Sequence, residues 1–364
     1  LEGVQAQIVA MSIEHPKELL IGLNDRDERW HDVHRINIET GEKSLVEQNE
    51  GMAGYVADDS LTLRLAFKNT EDGGTEIFRP AGDGWQSFGS IPADDALTTG
   101  FTTVAADGVT AYGIDSRGRN TAALVALDIP SGEITVLGSD ERADIQEILT
   151  DPKTGEVLAY GVNYTQLEWL PIADEVAADM ELLNSQLKGD VLILGRTQAN
   201  DKWILYSDEP DAPGRYYSYD RGSQELELLF NTRPALDGYT LAPATAHVIP
   251  ARDGLKLVSY LTIPAWSDAT GNGIPDEPMP MVLLVHGGPW GRDTYGFSGM
   301  VQMLANRGYA VLQVNFRSST GFGKEFINAG DLQWGRAMHD DLIDAVDWAI
   351  EEGVAQEDKV AIMG

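Results

Sequence analysis

Two glycines in succession, Gly287 and Gly288, stand between His286 and Pro289-Trp290, directly behind the nearly continuous apolar run of residues 281–286 (MVLLVH). Without Cβ atoms, the backbone there can come close to a bound group. The chemistry open to it is stabilisation of an oxyanion. A backbone N–H is already oriented, and a donor about 3 Å from a carbonyl oxygen holds the negative charge that develops there during acyl transfer. The plainer reading is a tight turn. His286 precedes the glycines at the strand end, which suits holding the loop better than acting as a base.

Three further stretches carry groups that could do chemistry. Residues 315–323 (NFRSSTGFG) follow a second apolar run, and Trp334-Gly335 leads to Asp340-Asp341 at the start of a helical pattern. Such an acidic pair reads first as favourable charge near a helix N-terminus. In residues 268–277, Asp268, Thr270, Asn272 and Asp276 alternate with glycines. Calcium loops use that arrangement because a hard cation takes six to eight oxygens. Here the pattern occurs once and lacks a full ligand set, so an acidic surface loop is the preferred reading. There are no cysteines, which excludes disulfides, thiolate metal sites and cysteine nucleophiles together. No metal or cofactor is expected.

The elements that must position these groups change character along the chain. Residues 1 to about 245 hold short runs rich in Val, Ile, Leu, Thr and Tyr, separated by Gly, Asp and Asn turns. Hairpins are expected at residues 35–48, 77–90, 124–138 and 216–230. Their turn glycines Gly41, Gly84, Gly132 and Gly222 are 43, 48 and 90 residues apart. A period near 45 is that of a four-stranded propeller blade, and about five fit. The doubled gap contains residues 165–187, which lean helical. A β-sandwich is the alternative for this half. After about residue 246 a hairpin is expected at 248–264, followed by a Gly/Pro-rich stretch to residue 280. Strands at 281–286, 309–315 and 359–363 then alternate with helices at 297–307 and 337–352, the pattern of a parallel sheet with crossover helices.

Composition narrows the classes. At 364 residues and 43% hydrophobic, the chain suits two domains with buried cores. With 26 Lys+Arg against 58 Asp+Glu, the net charge is −32, a poor match for nucleic acid, which needs a basic footprint. No apolar run reaches the ~18 residues of a membrane-spanning helix. Residues 1–10 contain no signal peptide pattern, which leaves the cytoplasm, the periplasm and secretion all open, and the oligomeric state is equally open.

Taken together, HGGPW, NFRSSTGFG, QWG with the following DD, and residues 248–264 (VIPARDGLKLVSYLTIP) resemble the prolyl oligopeptidase family of serine peptidases, nearest its acylaminoacyl-peptidase and dipeptidyl-peptidase-like branch. Ser318 departs from the pattern, since relatives often have Gly there. The resemblance implies a partial β-propeller of about five blades over residues 1–245, followed by the N-terminal part of an α/β-hydrolase domain over 246–364. It implies peptide substrates and a Ser-Asp-His triad, with the nucleophile on a Gly-x-Ser-x-Gly elbow. That motif is absent, and Gly296-Phe297-Ser298-Gly299 has the wrong spacing. Residues 359–363 with Gly364 match the strand and the first glycine of the elbow. The expectation is therefore a fragment truncated at both ends, inactive alone, whose triad lies beyond Gly364. By the same resemblance Gly288, with Gly287 as the alternative, supplies one oxyanion-hole N–H. An esterase-type hydrolase and a non-catalytic propeller interaction protein are the competing readings.

Overall fold

The structure, a computed structural model, describes residues 3–364. The chain divides into two compact units. One comprises residues up to Ser139 with Lys153–Val157, the other Asp140–Pro152 with Leu158–Gly364.

The first unit holds three four-stranded antiparallel sheets, each a meander. They are β1 (Ala6–Met11), β2 (Glu18–Asp27), β3 (Trp30–Asn37) and β4 (Lys43–Glu47), then β5 (Gly54–Ala57), β6 (Leu63–Asn69), β7 (Thr75–Ala81) and β8 (Gly84–Ile91), then β9 (Gly100–Val104), β10 (Thr110–Asp115), β11 (Ala123–Asp128) and β12 (Ile134–Gly138). Inner strands are buried and fourth strands exposed, as β11 and β12 illustrate. Leu65 and Ile77 pack with Phe101, Val104, Val125 and Leu127 in one core. The expected hairpins at 35–48, 77–90 and 124–138 are β3–β4, β7–β8 and β11–β12. Gly41 and Gly132 take the left-handed turn positions, but in the second hairpin that position belongs to Gly82, not Gly84.

The second unit begins with a three-stranded antiparallel sheet of β13 (Ile145–Thr150), β14 (Val157–Asn163) and β15 (Leu167–Pro171). The helix α1 (Ala177–Gln186) follows. Only the second half of the 165–187 stretch is thus helical. Leu167 and Trp169 are instead buried strand residues, packed with Met180 and Leu183 of α1, and this long-range packing overrides the local helical lean. A four-stranded sheet comes next, β16 (Asp190–Arg196), β17 (Lys202–Glu209), β18 (Ala212–Asp220) and β19 (Glu225–Asn231), centred on fully buried Trp203 and Tyr219. In its last hairpin Gln224, not Gly222, takes the positive φ, at 57°. Among the described residues, five antiparallel, propeller-like sheets therefore precede the final one.

That final sheet is mixed. Its strands are β20 (Ala244–Pro250), β21 (Lys256–Thr262), β22 (Met279–Leu284), β23 (Ala310–Val314) and β24 (Ala355–Met363), in the order β20-β21-β23-β22-β24. β20, β21 and β23 pair antiparallel, and β22 pairs parallel with both β23 and β24. The crossovers carry α2 (Gly299–Ala305), then α3 (Lys324–Asn328) and α4 (Ala337–Glu351). β21 is buried along its whole length after Lys256, with Ser259 and Thr262 buried among its apolar residues. Met338, Leu342, Ala345 and Ala349 form the buried stripe of α4, at the spacing expected of an amphipathic helix.

Candidate active site

Parallel strands place their carboxyl ends, and the loops that leave them, on one edge of the sheet. Here Leu284 pairs with Gln313 and Met363, so residues 285–288, Asn315 and Gly364 emerge side by side. The loop that follows β22 is pinned at its start by His286. The imidazole stacks on Phe316 with ring centroids 4.7 Å apart, its Nε2 lies 2.9 Å from Ser319 Oγ, and its Nδ1 lies 3.0 Å from Gly287 O. Both ring nitrogens are thus occupied in holding the loop, in keeping with its place ahead of the glycines.

The far end of the loop is pinned more heavily. Asp293 N–H donates to Asn315 Oδ1 at 2.8 Å, and Asn315 Nδ2 donates back to Asp293 O at 3.2 Å. Arg292 donates to the carbonyls of Asn163 (3.0 Å) and Tyr164 (3.2 Å) and lies 4.3 Å over the Phe322 ring. Burial lowers the basicity of its guanidinium. Behind it, Asp190 accepts from Leu167 N (2.7 Å) and Asn163 Nδ2 (3.0 Å), and burial pushes its carboxyl up to about 6. Burial likewise raises the Asp293 carboxyl, whose Oδ1 accepts from Gln313 Nε2 at 2.8 Å while Oδ2 is buried without a partner.

Between these anchors the two glycines are exposed. Gly288 has φ +148°, and a Cβ there would lie 2.7 Å from Trp290 N, so no other residue fits without a shift. Among the described residues, neither the Gly287 nor the Gly288 N–H has an intramolecular acceptor. Beside them a cleft of about 440 Å³ is lined by Asp208, His286, Asp293, Phe297, Met363 and Gly364. Gly364 is packed so tightly that a Cβ would come 2.7 Å from Val285 O. Asp208, from β17, accepts from Phe297 N at 3.1 Å, and its carboxyl is raised by burial.

Residues 315–323 and the acidic pair serve a different end from the one their positions suggested. Asp341 is fully buried, and its carboxylate takes Arg317 Nε (2.8 Å), Nη2 (2.6 Å) and backbone N (2.9 Å). Asp340 pairs with Arg252 at 3.2 Å. The pair is therefore structural ion pairing across the sheet's loops, because a buried guanidinium needs a carboxylate more than the helix end does. Ser318 has φ +77°, a position that favours glycine, and its Oγ donates to Ile327 O at 2.7 Å.

The oxygens of the 268–277 loop face its own backbone. Asp268 accepts from the N–H groups of Gly271 (2.7 Å), Asn272 (3.2 Å) and Gly273 (2.7 Å) and from Thr270 Oγ1 (3.1 Å). Asn272 Oδ1 accepts from Ile274 N and Asp276 Oδ2 from Ala269 N. Among the described residues, no group of three or more His, Asp or Glu side chains is placed to hold a metal ion.

Local patterning had not singled out Arg292, Asp293, Gln313 or Asp208, whereas Asn315 opens the 315–323 stretch that it did single out. The available signals were a charged pair just past the glycines and a glutamine inside an apolar strand.

Against known proteins, residues 295–364 match the model of the prolyl oligopeptidase family. Those residues hold the helices and parallel strands that flank the glycine loop. Along nearly its whole length, 99%, the chain is 48% identical to dipeptidyl aminopeptidase BIII of Pseudoxanthomonas mexicana, covering 52% of that protein. It is 34% identical to dipeptidyl peptidase family member 6 of Caenorhabditis elegans, covering 95% of this chain and 50% of the relative. The chain thus spans about half the length of the curated relatives it matches. Among solved structures it shares the fold of a puromycin hydrolase (TM-score 0.67, 16% identity, 99% of this chain and 57% of that one). It likewise shares that of a puromycin-hydrolyzing peptidase of Mycobacterium tuberculosis (TM-score 0.65, 15% identity, 99% and 58%). Both the resemblance in the motifs and the family match point to serine peptidases of the prolyl oligopeptidase family.

Proposed function

We propose that this chain is the β-rich half and the opening part of the hydrolase half of a serine peptidase that releases dipeptides from the N-termini of short peptides. The observation that carries this reading is the pair of exposed, unpartnered N–H groups at Gly287 and Gly288, held rigidly from both sides at the carboxyl edge of a parallel sheet. In this reading the Gly288 N–H, with Gly287 as the alternative, donates to the scissile carbonyl oxygen as it becomes an oxyanion. A serine carried just beyond Gly364 attacks that carbonyl. A histidine takes the serine's proton and passes it to the departing amine, and water then cleaves the acyl-enzyme. The packing of Gly364 against Val285, as the chain leaves β24 at the root of the glycine loop, supports an elbow at this position. Residues 1–245 act as propeller blades that restrict entry to short peptides, and 246–364 as the first part of the catalytic domain. Dipeptide release rests on the named activity of the relative 48% identical to this chain.

A fluorophosphonate probe together with a panel of arylamides tests the reading. This chain alone stays unlabelled. The polypeptide continued past Gly364 labels at one serine and cleaves dipeptidyl arylamides, and Gly288→Ala lowers its kcat by about 100-fold or more. Stoichiometric labelling of a serine within residues 1–364 would overturn it. So would a continued polypeptide that cleaves esters and leaves every peptide arylamide intact.

A further inference from the structure

A second concavity lies along α2. It is a groove of about 1020 Å³, formed by the connector between β19 and β20, the residues just after β21, and one face of α2. Its lining is largely apolar: Tyr239 and Trp266 are both more than 70% exposed, and Phe297 and Met303 line it with them. Large apolar side chains so exposed and so close together are uncommon on a protein surface and mark a binding site. A volume of this order matches sites for small organic ligands.

Its charge sets the groove apart from the rest of the chain. Acids outnumber bases more than twofold overall, yet no Asp or Glu lines the groove, while Arg233 and Arg307 do. Among the described residues, neither arginine has a carboxylate partner. Arg233 lies 5.3 Å over the Phe297 ring, and Arg307 donates to Met303 O at 3.1 Å. Unpaired cations at the rim of an apolar trough, on a molecule whose overall field repels anions, are arranged to capture one kind of anion locally.

We propose that this groove binds a single-chain amphiphile with an anionic head, its alkyl or aryl body against Tyr239, Trp266 and Met303 and its head on Arg233 and Arg307. The site is separate from the glycine loop and does not depend on the peptidase reading. It touches the cleft there only through Phe297, which walls both.

Displacement of 8-anilinonaphthalene-1-sulfonate, itself an apolar anion, tests the assignment at about 0.1 M salt. Dodecanoate should displace the dye saturably, and dodecyltrimethylammonium, with the same chain and the opposite charge, should not. All three side chains to be changed are exposed, so the variants keep the fold. Arg233→Ala with Arg307→Ala should weaken dodecanoate about tenfold or more. Arg233→Lys with Arg307→Lys should stay within about threefold of the parent, and Trp266→Ala should lose most of the dye signal. Equal displacement by the cationic chain would overturn the proposal, since an apolar patch alone does not select charge. Dye binding unchanged in Trp266→Ala would also overturn it. A groove filled by a second copy of the chain, seen as a dimer in sedimentation that dodecanoate fails to dissociate, would overturn it too.

Discussion

Replacing Asp190 with asparagine should stabilise the protein at neutral pH and destabilise it in acid. Asp190 is only 7% exposed, and it lies behind the arginine that ties down the glycine loop. Its carboxyl is pushed up to about 6 from an ordinary 3.8, chiefly by burial. A carboxyl raised in the folded state holds its proton there at pH values where the unfolded chain has lost it. Stability therefore falls as pH rises from about 4 to about 6 and is level above that. The gap corresponds to about 3 kcal/mol. Asparagine carries no charge to bury and so escapes that cost. Its Oδ1 can still accept from Leu167 N, while its amide meets the Asn163 amide and loses one hydrogen bond, a loss of about 1 kcal/mol. The expected net gain is about 2 kcal/mol at pH 8, changing to a loss of about 1 kcal/mol at pH 4. Urea unfolding of parent and variant at both pH values, compared within the same transition, measures the difference. A variant equally destabilised at both would refute the argument, because it would mean that Asp190 is worth only its hydrogen bonds.

Asp341→Ala should cost about 3–5 kcal/mol, because it leaves the Arg317 guanidinium buried with only half-exposed Asp253 for company. Arg317→Met with Asp341→Leu should recover most of that in urea unfolding, and a single-variant loss below about 1 kcal/mol would contradict it. Ser318→Val should lower stability by roughly 3 kcal/mol, through a β-branched side chain at φ +77° and the lost bond to Ile327. Ser318→Gly should stay within about 1 kcal/mol of the parent, since relief of backbone strain offsets that bond, and thermal melting of the pair checks both.

The parts of the fold legible in the sequence are those set by neighbours in the chain. The hairpins β3–β4, β11–β12 and β20–β21 are readable because a turn residue sits between two alternating runs. The stripe of α4 is readable because Met338, Leu342, Ala345 and Ala349 follow one another at helical spacing. The glycine loop announces itself for a similar reason, as two residues without side chains directly behind a buried strand. What stayed hidden depends on partners far along the chain. Arg292 is explained only by carbonyls about 130 residues earlier, and Asp341 only by Arg317, 24 residues earlier. Residues 165–187 misled for the same reason. Leu167 and Trp169 become strand residues once α1 and β16 cover them, and nothing local states that they will be covered.

The order of strands in the mixed sheet also bears on how the chain is made. β21 does not pair with β22, the next strand to leave the ribosome, but with β23, whose residues lie beyond α2. At about 5–20 residues per second, synthesis from Leu284 to Val314 takes on the order of seconds. Through that interval one edge of β21 and the whole of β22 wait unpaired. Both are strands whose residues are mostly buried in the finished molecule. The insertion of Ala310–Val314 covers the open edge of β21 and one edge of β22 together, while the other edge of β22 waits for β24, so the nascent chain is most exposed to aggregation and to chaperone capture before its central strand is complete.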